Sequence, residues 1–280
     1  MNRRRSSLRL IRAGLILVMA VCLLKIGNEC YLSVRHKNEQ QELNALLRTE
    51  ERTNSLLPWS VAEQGKQRLM AAMEECRPDE PAEETEPVIL DKLQEIYARN
   101  NDLVGWLTIP GTVIDYPVMQ CEDDEYYLHH GFYGDEDKYG CLYVRARADV
   151  NTPGTNFLIY GHNMKDGTMF GSLDEYRSKS FYEEHPSLYF DTLYEERTYE
   201  IVAVFLSQVY RDDEEVFKYY RFYQADTEEE FLSFYENIKK LSLYDTGVTA
   251  EYGDTFLTLS TCAYHVADGR LAVVAKYAGN

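Results

Sequence analysis

Hydrophobic positions near the N-terminus form one unbroken run. Residues 13–24 are all apolar or glycine, and the apolar stretch extends over residues 8–26 with basic side chains near both ends. A helix of about 20 such residues spans a bilayer. The pattern predicts a signal anchor within residues 1–30, with its basic flank in the cytoplasm and the later residues exported. A cleaved signal peptide is the alternative, although no small-x-small cleavage site follows the run.

A polar segment with a thin stripe of leucines comes next. Residues 37–57 are rich in helix formers and predict a solvated helical stalk, with a second short helix over residues 67–75. Residues 78–87 hold three prolines and five acidic side chains, which favours an extended linker. We therefore expect a stalk and linker over residues 31–87 and a compact catalytic domain over residues 88–280.

The compact domain has the alternating pattern of short strands. Eight β-prone runs are separated by turn residues, at 104–109, 113–119, 140–144, 156–160, 188–194, 198–210, 255–261 and 271–277. Helical spacing predicts one helix over residues 89–100 and another over 227–241, where Thr227 and Glu230 have capping-box spacing. Eight strands in under 200 residues predict a mainly β domain, a closed or nearly closed barrel with peripheral helices.

Charge is distributed unevenly along the chain. The net charge is −18, yet residues 1–30 carry six basic side chains against one acidic, which leaves 23 basic and 46 acidic side chains in the remainder. Such an acidic surface would repel phosphate, so nucleic acid is not an expected partner.

The six cysteines are scattered at positions 22, 30, 76, 121, 141 and 262. They have neither CxxC spacing nor zinc-site spacing with histidine, so no metal site is expected. A disulfide between Cys121 and Cys141 stays open as an alternative.

One cysteine lies where chemistry is feasible. Cys262 ends an alternating β run, and Arg270 lies in the expected turn before the next strand, from which a fixed positive charge could activate the thiol and bind an oxyanion. His162 follows the strand over 156–160 and a flexible glycine, so it could exchange protons with the thiol.

His265 is the rival histidine, whereas the adjacent His129 and His130 would point different ways in an extended chain. The competing interpretation is a buried structural cysteine beside a surface arginine.

Three motifs in consistent order resemble the sortases. TLSTC at 258–262 looks like their nucleophile motif with Arg270 at their arginine position, and YGHNM at 160–164 looks like their histidine loop. The continuation KDGTMFGSL at 165–173 resembles the class B branch, as do VGWL at 104–107, IDYPV at 114–118 and YLHH at 127–130. After LY at 142–143, where relatives often continue with an acidic and aromatic run, this chain has VRAR.

The resemblance implies an eight-stranded sortase-type barrel and a transpeptidation that needs no cofactor. Cys262 would attack the carbonyl after a threonine in the C-terminal sorting signal of a secreted protein, NPxTN-like or LPxTG-like. His162 would serve as acid and base, Arg270 would hold the substrate and the oxyanion, and Ser260 and Thr261 would contact the substrate. An amine of peptidoglycan or its precursor would resolve the thioacyl-enzyme outside the membrane.

Other functions share much of this pattern. A pilus-assembling sortase would use a pilin lysine as acceptor; such enzymes often have a second membrane span, which does not follow the last strand here. A cysteine endopeptidase would release its product to water. A non-catalytic, membrane-tethered peptide-binding module is a further alternative, against which the presence of Cys262, His162 and Arg270 together argues.

Overall fold

A computed structural model describes residues 2–56 and 87–279 of the chain. The N-terminal segment is one helix, α1 (Asn2–Leu56), which runs without interruption through residue 30, where we expected the anchor to give way to the stalk. Leu47 is buried, so the leucine stripe is only partly solvated. The expected helix at 67–75 and residues 78–86 of the expected linker lie outside the described residues.

The chain divides into two compact units, Met1–Leu43 and Asn44–Asn280. The first unit contains most of the one helix, among the described residues, that is long and apolar enough to cross a membrane. Apolar side chains on it such as Leu17 and Val18 are exposed. This finding is consistent with a membrane anchor near the N-terminus.

The second unit contains twelve further regular elements within residues 87–279. They are α2 (Asp91–Arg99), β1 (Leu103–Thr108), β2 (Asp115–Met119), α3 (Tyr126–His129), β3 (Leu142–Tyr143), β4 (Asn156–Tyr160), α4 (Lys179–Glu184), β5 (Ser187–Thr192), β6 (Thr198–Gln208), α5 (Glu228–Leu241), β7 (Phe256–Cys262) and β8 (Gly269–Gly279). Two 3₁₀ turns, Gly171–Arg177 and Tyr219–Arg221, complete the set.

The eight strands form a closed barrel in the order β1-β2-β3-β4-β7-β8-β6-β5, which confirms the predicted fold class. Most neighbours are antiparallel, but β2 and β3 run parallel, as do β4 and β7, where Tyr160 lies opposite Ser260. Ninety-five residues separate these two strands in the sequence. Closure therefore makes neighbours of two strand ends that are distant in the chain.

Both faces of the central strands are buried. Ile159, Leu259 and Val273 belong to the core inside the barrel. Alternate residues of the same strands, such as Leu158 and Val274, point outward and pack in a second core. The segment between β6 and β7 supplies that outer core, because α5 contributes Phe231, Phe234 and Ile238 to it. The prediction that the apolar face of α5 packs on the barrel is confirmed.

Local boundaries depart from the predicted ones where turns intervene. The run at 140–144 forms only the two residues of β3, because Gly140 has a φ of +57° and packs so closely that a Cβ there would lie 2.4 Å from the Tyr127 carbonyl oxygen. The short helices α3 and α4 were not predicted, since four to six residues carry too little helical periodicity. The Thr227 cap is confirmed, as its Oγ1 accepts a hydrogen bond from the Glu230 amide at 3.2 Å.

Candidate active site

Parallel pairing brings the histidine loop beside the cysteine strand. Tyr160 and Ser260 are register partners, and His162 and Cys262 each follow two residues later. Beyond the paired residues, the Gly161 amide donates to the Ser260 carbonyl at 3.3 Å, and Asn163 Nδ2 donates to the Cys262 carbonyl at 2.7 Å. The two strand ends therefore remain side by side through the candidate residues.

Arg270 approaches Cys262 from the other side. The expectation that Arg270 lies in a turn is wrong, because β8 begins at Gly269 and Arg270 is the direct register partner of Cys262. Paired residues on neighbouring strands project to the same face of a sheet. The turn before β8 closes tightly, since a Cβ on Gly269 would come within 2.1 Å of the Ala263 carbonyl oxygen.

The Arg270 guanidinium bonds only to its own turn among the described residues. Its Nη1 donates to the carbonyl oxygens of Gly269 at 3.0 Å and Asp268 at 3.4 Å, and no carboxylate within residues 87–279 lies within ion-pair distance. Asp268 has a φ of +52°, a strained value for a residue other than glycine. The guanidinium keeps donors available for a substrate oxygen, because it has five N–H groups.

A backbone carbonyl orients His162. The imidazole is half-buried, and its Nε2 lies 2.8 Å from the carbonyl oxygen of Leu128. A carbonyl oxygen can only accept, so Nε2 carries a proton when this hydrogen bond is formed. Gly161 permits the sharp exit from β4, because a Cβ there would lie 2.4 Å from Leu142 Cδ2 and 2.8 Å from the Phe170 ring.

Ser260 and Thr261 are both buried, with hydroxyl groups already engaged within the protein. Ser260 Oγ lies 2.8 Å from the Tyr219 hydroxyl. Thr261 Oγ1 donates to the Gly161 carbonyl at 2.8 Å, which ties β7 to the histidine loop. Substrate contact by these two residues stays a prediction.

The remaining histidines lie in other surroundings. His265 is exposed in the β7–β8 turn, where its ring atoms would lie 3.0 Å from a Cβ on Gly269. His129 ends helix α3, so the expectation of an extended chain at 129–130 is wrong there. His130 stacks on Tyr126 at 4.0 Å and its Nδ1 lies 2.8 Å from the carbonyl of the same residue. His185 Nδ1 lies 2.8 Å from the Pro110 carbonyl.

Aromatic residues surround the site, and sequence pattern alone does not identify them. Burial raises the pKa of Tyr143 to about 12 despite the positive charge of Arg145, and burial likewise raises the pKa of Tyr219 to about 12. The ring of Tyr143 stacks on Tyr160 at 5.5 Å. With 23 tyrosines in the chain, residue type alone could not single these out.

No disulfide joins the cysteines of the second unit that the structure describes. Neither Cys121, Cys141 nor Cys262 is in a disulfide, so the alternative of a Cys121–Cys141 bridge is wrong. Cys141 is buried, whereas Cys262 is partly exposed. Of these three, only Cys262 combines access with a neighbouring histidine loop and arginine.

Comparison with known proteins gives one consistent family. The family model for the sortase domain matches residues 107–278. Sortase B of Listeria monocytogenes is 34% identical over 178 residues, which cover 62% of this chain and 68% of that protein. Sortase B of Staphylococcus aureus is 30% identical over 179 residues, which cover 63% of this chain and 70% of that protein.

Solved structures agree with the sequence matches. A structure of sortase B from Bacillus anthracis superimposes with a TM-score of 0.61 at 33% identity and covers 78% of this chain and 98% of its own. A Staphylococcus aureus sortase B–substrate complex has a TM-score of 0.61 at 26% identity and covers 82% of this chain and 97% of its own.

Proposed function

Because the chain belongs to the sortase family of cysteine transpeptidases, in its class B branch, we propose that Cys262 cleaves the C-terminal sorting signal of a secreted protein. The acyl part of that protein then passes to an amine of peptidoglycan or its precursor. One observation carries the residue assignment: Cys262 is the register partner of Arg270, and its carbonyl is hydrogen-bonded to Asn163 of the histidine loop.

The first half of the reaction forms a thioester. The thiol proton of Cys262 passes to His162 as sulfur bonds to the carbonyl carbon of the threonine at the cleavage site. Arg270 stabilises the resulting oxyanion, a role for which a planar cluster of N–H donors is suited. Collapse of the tetrahedral intermediate breaks the C–N bond, and His162 gives the proton to the leaving amine.

The contact between His162 and Leu128 supports a defined proton route. Since Nε2–H donates to the Leu128 carbonyl, the neutral ring has its lone pair on Nδ1. Nδ1 is then the nitrogen that takes the thiol proton and gives it to the leaving amine. The same nitrogen later removes a proton from the incoming amine, whose attack on the thioester frees the thiol.

Ser260 is the better candidate of the two proposed substrate contacts. It lies two residues before Cys262 on β7, so both side chains project to the outer face of the barrel, whereas Thr261 projects to the opposite face. A bound peptide would contact Ser260 by sharing or replacing its hydrogen bond with Tyr219.

Helix α1 supports a location at the outer surface of the cell membrane. We propose that its apolar part crosses the membrane once, with the basic N-terminus in the cytoplasm and the barrel outside. Exported substrates and cell-wall amines would meet the enzyme there.

Intact-mass spectrometry of the full chain in detergent tests the chemistry. We expect peptides with NPxTN-like or LPxTG-like signals to leave an adduct equal to their part up to the threonine, and an added amine to discharge it. Cys262→Ala should abolish the adduct, whereas Cys121→Ala should retain it. An adduct that persists in Cys262→Ala contradicts the nucleophile assignment, and discharge only to water would indicate an endopeptidase.

A further inference from the structure

Two arginines border a cavity beside the proposed active site. Arg145 and Arg147 follow β3 and line a cavity of about 340 Å³ together with Asn156, Leu158, Tyr160 and Tyr223. We refer to these six residues as the arginine pocket. A cavity of this size can hold a few side chains of a peptide. No step of the proposed mechanism uses this pocket. Its two arginines belong to the VRAR segment that departs from the class B pattern.

The arginine pocket lies on the same outer face as the reactive thiol. Asn156, Leu158 and Tyr160 alternate along β4, and their register partners lead to Cys262 on β7. The sheet order is β3-β4-β7-β8, so Arg145 at the β3 side and Arg270 on β8 flank Cys262. Neighbouring strands lie about 4.8 Å apart, which separates the β3 side from Cys262 by about 10 Å.

Both arginines lie against tyrosine rings and form no ion pair among the described residues. Arg145 lies over the Tyr160 ring at 5.3 Å, and Arg147 lies over the Tyr223 ring at 4.7 Å with Nη2 donating to its hydroxyl at 3.0 Å. Neither guanidinium has a carboxylate within 4.0 Å within residues 87–279. The chain has a net charge of −18, so two neighbouring arginines without an ion pair within residues 87–279 favour an acidic ligand.

The acids nearest to the pocket are already hydrogen-bonded or ion-paired. Asp149 itself lines the cavity, and its carboxylate accepts hydrogen bonds from the Asn151 and Thr152 amides. Asp124 accepts one from the Ala146 amide at 2.7 Å, and Asp212 pairs with Arg221. None of these carboxylates forms an ion pair with Arg145 or Arg147.

A buried hydroxyl adds a third donor to the pocket. The hydroxyl of Tyr160 is inaccessible to solvent and has no hydrogen-bond partner within the described residues. Burial raises the pKa of Tyr160, so the phenol stays protonated and can donate. Among the described residues, the Arg145 guanidinium and the Tyr160 hydroxyl have no hydrogen-bond acceptor, and Arg147 donates only to the Tyr223 hydroxyl. Such a set of donors suits a carboxylate.

We propose that the arginine pocket binds a carboxylate of the sorting peptide and so adds a specificity determinant to the proposed transpeptidation, on which this inference rests. An extended peptide rises about 3.3 Å per residue, so a separation of about 10 Å corresponds to roughly three residues. The acidic residue is therefore about three residues from the scissile bond. Arg145, half-buried against Tyr160, is its main partner.

A positional scan with matched peptides tests the pocket on the full chain in detergent. Each position of an accepted sorting peptide carries either Glu or Gln, and kcat/KM for thioester formation is measured for both. We expect the Glu peptide to be preferred about tenfold at one position, the size of a charge-assisted hydrogen bond that is partly exposed. Arg145→Gln should bring that ratio close to one, and 0.5 M salt should reduce it in the wild type.

Arg177→Gln is the matched control, because Arg177 is exposed on a 3₁₀ turn and pairs with Asp174. This variant should keep the wild-type ratio of kcat/KM for the Glu and Gln peptides.

A scan in which Glu and Gln peptides react equally at every position, with normal thioester formation, would overturn the proposed role of the arginine pocket while leaving the proposed function intact. Failure of every peptide to form a thioester would instead count against the proposed function. A second arm varies a carboxylate on the amine acceptor, and an Arg145-dependent effect found only there would also overturn the inference.

Discussion

The protonation pattern of His162 follows from one backbone contact. Leu128 belongs to the short helix α3, and its carbonyl oxygen lies 2.8 Å from Nε2. A carbonyl can accept a hydrogen bond from both the neutral and the charged imidazole, so the ring keeps one orientation through the proposed cycle. Nδ1 is then left as the nitrogen that gains and loses the proton.

Replacing His162 separates it from its rival. His162→Ala should lower kcat/KM for transpeptidation by about 10³-fold, in the range of general acid–base catalysis, because no nearby group then carries the proton. His265→Ala should retain activity within a few fold, since His265 is exposed in the β7–β8 turn. Steady-state kinetics with one sorting peptide and one amine measure both. The opposite ranking would transfer the acid–base role to His265.

Single residues were predictable from sequence where their role depends on a strand end. Cys262 and His162 both follow regular β runs, and the structure brings those ends together. The strand position of Arg270 was missed, because the tight turn at Gly269 moves the start of β8 forward. Arg145 and Tyr160 could not be paired from sequence, since their contact depends on how the segment after β3 folds back over β4.

A short 3₁₀ turn ties the β6–β7 segment to the cysteine strand. Tyr219 in the turn Tyr219–Arg221 is fully buried, and its hydroxyl bonds to Ser260 two residues before Cys262. Sequence pattern predicted the longer helix α5 in this segment but not the turn, because three residues show no helical period. This turn supports the outer face of the site and could be identified only from the structure.

Alkaline pH should weaken this attachment in a defined direction. Burial raises the pKa of Tyr219 to about 12, whereas a tyrosine in the unfolded chain titrates near pH 10. Between these values the unfolded chain loses the proton and the folded chain keeps it, so stability is intact below pH 10 and falls as pH rises towards 12. At pH 11 the loss from this group amounts to about 1.4 kcal/mol.

Tyr219→Phe isolates that contribution. At pH 8 the variant should unfold about 1 kcal/mol more easily, because the Ser260 hydroxyl loses its partner. At pH 11 the deficit should shrink or vanish, since phenylalanine has no proton to lose. Urea unfolding at both pH values measures the difference, with Tyr189→Phe as the control because Tyr189 is exposed. A deficit of equal size at pH 8 and pH 11 would contradict the shifted titration.

Over the whole molecule, the number of strands was predictable but their order was not. Alternating patterns identified eight runs, each of which contains or overlaps an observed strand. The placement of β7 between β4 and β8 depends on barrel closure, which joins residues about 100 positions apart. Sequence spacing contains no direct signal for such pairing, so the strand order is known only from the structure.

The N-terminal helix gives the last prediction. Arginine at the centre of a membrane-spanning helix costs about 2.5–3.5 kcal/mol on insertion scales, so a double variant Leu17→Arg, Val18→Arg should fail to insert. Cell fractionation should find the wild type in carbonate-washed membranes and the double variant outside them. Val34→Arg is the control, because Val34 is exposed beyond the predicted span. The intact mass of the membrane-bound protein distinguishes an uncleaved signal anchor from a cleaved signal peptide. A chain that retains residues 1–30 is anchored, whereas a chain shortened near residue 26 had a cleaved signal peptide.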